Sequence, residues 1–125
     1  MDIVKQVAYW TTGAAEDFDA AETLLEKGHL RHSLFFAHLA LEKMLKALVT
    51  QRTRQVPPNT HNLIRLAVRG DLRLDRERDD FLREFGAFEM EGRYPDSQQL
   101  RLSVQEVREE LKRAQEVLVW LRQRL

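Results

Sequence analysis

Arg93 and Tyr94 stand side by side in the segment Glu91-Gly92-Arg93-Tyr94-Pro95-Asp96, whose glycine and proline interrupt any helical period. Together they have the chemistry of a nucleotide grip: a guanidinium fork donates two parallel hydrogen bonds to a phosphate, and a phenol ring offers a face on which a base stacks. Pro95 would hold the backbone of both. The same residues also suit a structural task, in which Arg93 pairs with a carboxylate such as Asp96 or Glu42 and Tyr94 packs on neighbouring helices to fasten the loop. Lys43 and Lys46, three apart on one helix face, would add positive charge to the same cleft. Glu42 with Lys46 is equally an i,i+4 pair of the kind found on a solvated helix face. The functional reading requires these side chains to converge in space.

The histidines have weaker claims. His29 and His32 are three apart near a helix start and in principle share a metal, yet no third ligand has a matching spacing, so no metal site is expected. His38 lies within an apolar run, where a hydrogen-bonded core histidine is expected, and His61 would organise the start of a short helix. The chain has no cysteine, which excludes disulfides, thiolate zinc sites and thiol nucleophiles, and no cofactor is expected. Trp10 and Trp120 suit either the core or an interface, with Trp120 the candidate for a dimer contact.

The elements that must position these residues are helical. In 2–26, Val4, Val7, Ala8, Thr11, Ala14, Phe18, Ala21 and Leu25 recur at steps of three and four, one face of a long amphipathic helix. Gly28 ends it, and a denser stripe from Leu30 to about Arg52, with Leu34, Ala37, Leu41, Met44, Leu45 and Leu48, predicts a second helix at the centre of a bundle. Pro57 and Pro58 make 53–59 a connecting loop, and Thr60 is positioned to cap a third helix over 61–69 that stops at Gly70. A charged fourth helix over 74–88 would bury Leu74, Phe81, Leu82, Phe85 and Phe88. Ser103 and Glu106 form a capping box opening a last helix to about Arg124, with Val104, Val107, Leu111, Ala114, Leu118 and Leu121 buried. The fold class is therefore all-α, an up-and-down bundle of about five helices in one domain spanning 1–125. Twenty basic and twenty acidic side chains cancel, so any anion site must be local. No segment approaches the ~18 apolar residues of a membrane span, so no membrane partner is expected and the address is cytoplasmic.

Leu34-Phe35-Phe36-Ala37-His38-Leu39-Ala40-Leu41-Glu42-Lys43-Met44-Leu45-Lys46-Ala47-Leu48 resembles the second-helix signature of the HEPN domain family. Tyr9-Trp10, Ala15-Glu16-Asp17-Phe18, Thr60-His61-Asn62-Leu63 after a proline-containing loop, and Gly92-Arg93-Tyr94-Pro95-Asp96 follow the family's order across nearly the whole chain. The resemblance implies a bundle of about five helices, frequent homodimers, and a minimal nucleotidyltransferase encoded alongside as partner. The family name records a proposed nucleotide-binding role. Many relatives are metal-independent ribonucleases with an Arg followed four to six residues later by His near the start of a late helix, paired across a dimer. There an imidazole moves protons at the 2′-hydroxyl or leaving oxygen while a guanidinium stabilises charge on the phosphate.

In this sequence no histidine follows Arg93, which departs from the ribonuclease pattern. Arg54 and His61 have six residues between them, but in the loop between the second and third helices. The resemblance and the residues together imply a non-catalytic module, homodimeric, that binds a nucleotide, a nucleotidyltransferase partner or both through Arg93, Tyr94, Lys43 and Lys46. The alternative is a metal-independent ribonuclease toxin acting on RNA through Arg54 and His61, or through a displaced set around Arg93, with the nucleotidyltransferase partner as the antitoxin that neutralises or modifies it.

Overall fold

The computed structural model describes residues 1–88 and 102–125, and these build five α-helices with no strand among them. Helix α1, Ile3–Glu26, begins where the Asp2 side chain accepts the Lys5 N–H, one of the donors a helix start leaves open. It ends at a turn in which Gly28 takes φ +82°, a conformation that costs glycine little. Helix α2, Leu30–Thr53, folds back along α1. Ala14, Phe18 and Ala21 of α1 pack on the α2 stripe, and Ser33 Oγ donates to Ala21 O at 2.7 Å inside the interface.

Helix α2 is the centre of the bundle, with fourteen of its residues buried. Leu34, Leu41, Leu45 and Leu48 are each at most 2% exposed, and burial of one such side chain contributes about 2 kcal/mol. At its end Arg54 adopts the left-handed region, φ 57°, and its N–H closes on Thr50 O.

Helix α3, Leu63–Arg69, is capped by Asn62, whose side chain accepts the Arg65 N–H at 3.0 Å, rather than by Thr60. Thr60 Oγ1 instead accepts the Asn62 N–H at 3.2 Å, a local turn that delays the helix by two residues. Helix α4, Arg76–Phe85, is also shorter than its apolar spacing predicts, because Asp75 caps it by accepting the Arg78 N–H and Gly86–Phe88 tightens into a 3-10 turn. Phe88 still closes the core, its ring 4.8 Å from that of Phe85. Helix α5, Val104–Arg122, opens with the expected capping box of Ser103 and Glu106. Its buried stripe begins at Val107, since Val104 in the first turn is 44% exposed. Among the described residues, no helix is long and apolar enough to cross a membrane.

Candidate functional site

Glu42 projects from the middle of α2 into a place where α1, α2 and the start of α3 meet, and it is only 4% exposed. A carboxylate without water must be paired, and two side chains do this. Lys46, one helical turn on, places Nζ 3.0 Å from Oε2, and His61 places Nδ1 2.8 Å from Oε1. The carboxylate only accepts, so His61 Nδ1 carries the hydrogen. Lys46 is itself 7% exposed and lies 5.3 Å from the centre of the Trp10 ring on α1, whose π face partly replaces lost water. Tyr9 meets Trp10 edge to face at 5.0 Å and stays largely in solvent.

A second ion pair sits beside this group. Lys43 Nζ is 2.8 Å from Asp17 Oδ2 of α1. To get there the lysine stem crosses α1 at Gly13, where a Cβ would lie 3.0 Å from Lys43 Cδ. Glycine at 13 therefore clears the path of the lysine. Ala8, Tyr9, Thr12, Gly13, Glu16 and Lys43 line a shallow depression over this crossing.

Of the residues singled out in the sequence, Lys43, Lys46 and His61 are brought to this one junction. The expectation that Glu42 and Lys46 form a solvated helix pair is corrected: they are buried, because Trp10 and His61 cover the α2 face they occupy. Arg54 is exposed at the end of α2, and its side chain has no polar partner among the described residues. Arg93, Tyr94 and Asp96 lie outside the described residues. His38 is fully buried on α2, and His29 and His32 are exposed with ring centres 6.4 Å apart. Among the described residues, no three His, Asp or Glu side chains are grouped as metal ligands. Trp120 is stacked by the guanidinium groups of Arg78 at 4.5 Å and Arg124 at 4.0 Å.

Sequence reasoning missed Trp10, Asp17 and Gly13 as members of this junction. The signal available was the Glu42 to Lys46 spacing. Nothing local announces that His61, 19 residues away, completes the pair.

The geometry is a cross-brace among α1, α2 and the loop leading into α3, built on the Glu42-Lys43-Met44-Leu45-Lys46 stretch of α2. The HEPN domain model matches residues 7–124 of the chain. The chain belongs to the HEPN domain family. Its bundle is also similar to the crystal structure of TT1696 from Thermus thermophilus, with a TM-score of 0.82 and 23% identity, covering 96% of this chain and 98% of that one. At that identity the likeness extends to the HEPN fold alone. No curated protein matches the sequence.

Proposed function

We propose that this HEPN protein is a non-catalytic, cytoplasmic single-domain module that acts as a homodimer and binds a minimal nucleotidyltransferase partner and a nucleotide. One observation carries the reading. The cations of the α1–α2 junction are committed to carboxylates, Lys46 to Glu42 and Lys43 to Asp17, so they serve as struts. In this reading Arg93 and Tyr94 take the phosphate and base, while Lys43, tied to Asp17, acts as a strut between α1 and α2 and not as a phosphate ligand. Lys46 keeps the frame rigid.

One observation favours a second reading, the metal-independent ribonuclease. A carboxylate on His61 Nδ1 is the arrangement that orients a proton-transferring imidazole. Such chemistry also needs a guanidinium at the same phosphate, and Arg54 ends a different element, turned into a left-handed cap.

The test is incubation of a mixed RNA pool with the purified protein in EDTA, beside His61→Ala and Arg93→Ala variants. The binding module predicts intact RNA, ATP binding by calorimetry that Arg93→Ala weakens at least tenfold, and a light-scattering mass twice the 14.7 kDa of one chain. Cleavage abolished by His61→Ala would establish the ribonuclease instead.

A further inference from the structure

Zero net charge conceals a strong internal separation. Residues 1–26 carry six acids, Asp2, Glu16, Asp17, Asp19, Glu22 and Glu26, against Lys5 alone, a local net charge of −5. Residues 51–73 carry five arginines, Arg52, Arg54, Arg65, Arg69 and Arg73, against Asp71 alone, a local net charge of +4. All five arginines are exposed. None forms an ion pair among the described residues.

The fold gathers them at one end of the bundle. Arg52 Nη1 on α2 donates to Gly70 O and Asp71 O at 3.1 Å each, which fastens the end of α2 to the end of α3. Arg69 Nη2 donates to Gln55 Oε1 at 3.1 Å, a second tie between the same two ends. Both partners are uncharged groups, so the positive charge is fixed in place but not cancelled. Arg65 and Arg69 are four apart on α3, one turn and about 6 Å along one face. Val68, 73% exposed, adds an apolar surface next to them.

We infer that this α2–α3 end is a docking surface for the phosphodiester backbone of a nucleic acid. Five guanidinium groups without a carboxylate partner among the described residues, two of them held by carbonyl and amide contacts, form a preorganised, salt-sensitive phosphate surface. The patch is built of arginine without lysine, the side chain whose fork matches phosphate oxygens. No base-reading geometry is implied, so binding is independent of sequence.

The experiment is fluorescence anisotropy with a labelled single-stranded RNA and a labelled DNA duplex, in EDTA across a salt series. It compares wild type, Arg65→Glu/Arg69→Glu, Arg65→Gln/Arg69→Gln, and Arg108→Glu/Lys112→Glu on α5, with melting curves for each. Wild type is expected to bind at low salt. The Arg65/Arg69 variants should weaken binding at least tenfold, and the salt slope for the single strand should fall by about 1.4 for two lost phosphate contacts. The α5 variant, with the same charge change as the Glu pair, should stay within twofold. The RNA and duplex arms decide which nucleic acid is preferred. Absence of binding by wild type, equal losses in the α3 and α5 charge-reversal variants, or displacement of RNA by polyglutamate at equal charge concentration would overturn the inference. The last result would assign the patch to an acidic protein.

Discussion

His61 Nδ1 reaches Glu42 Oε1 at 2.8 Å across 19 residues of chain, and the same carboxylate holds Lys46 through its other oxygen. One buried acid therefore fixes the loop between α2 and α3 to the centre of α2, and fixes α1 through the Lys46 contact with Trp10.

Glu42→Gln should destabilise the fold by about 3–5 kcal/mol, since it strands the buried Lys46 ammonium. Chemical denaturation measures this directly. Glu42→Gln/Lys46→Met, which removes both charges and keeps the volume, should recover more than half of the loss. A Glu42→Gln midpoint equal to that of wild type would refute the brace.

Gly13→Ala sets two effects against each other. Alanine in a helix interior is favoured over glycine by about 1 kcal/mol, while the added Cβ pushes Lys43 from Asp17 and removes a partly exposed pair contributing about 0.5 kcal/mol. The balance is slightly stabilising, with Tm raised. Gly13→Ala in a Lys43→Ala background should stabilise by more, because no stem remains to displace. If the two backgrounds gave the same increment, Lys43 would not lie across Gly13 in solution.

Ser103→Ala should cost about 1 kcal/mol through loss of the N-cap of α5. Its partner shows the effect through pH. The backbone N–H of Ser103, followed by its hydroxyl, holds the Glu106 carboxyl below its ordinary value. Stability from this group is complete above the ordinary carboxylate pKa and is lost as pH falls through the lowered one. The Arg78 N–H acts in the same direction on Asp75 at α4. Melting curves from pH 7 to 3 should therefore be flatter for Glu106→Gln and Asp75→Asn than for wild type, and parallel curves would exclude the caps as contributors.

Arg124→Ala should uncover one face of Trp120, since its guanidinium lies 4.0 Å from the ring centre. Quenching of tryptophan fluorescence by acrylamide should rise, with a stability loss of about 0.5–1 kcal/mol for an exposed cation–π contact. Unchanged quenching would show that Arg78 alone covers the ring.

Periodicity and caps gave a sound account of the helices because both are local. The stripe from Leu34 to Leu48 and the Ser103/Glu106 box needed no tertiary knowledge. The Thr60 cap failed because a threonine two residues before an asparagine has a competing local turn, and short-range bonding decided between them. The solvated reading of Glu42 and Lys46 failed for a different reason. An i,i+4 charge pair has the same spacing whether its face meets water or another helix, and only the approach of Trp10 and His61 distinguishes the two. Lys43 and Asp17 were both noted in the sequence, yet their pairing depends on a gap opened by Gly13 on the facing helix.

The burial of α2 has a kinetic counterpart. Solvent reaches its backbone only when α1, α3 or α5 separates from it, so amide hydrogens from about Ala37 to Val49 should exchange with deuterium only through global opening. The first two turns of α1, with Val4 and Tyr9 in water, should exchange through fraying far sooner. Deuterium uptake would thus read the bundle from its outer helices inward, with α2 as the last element to take up label.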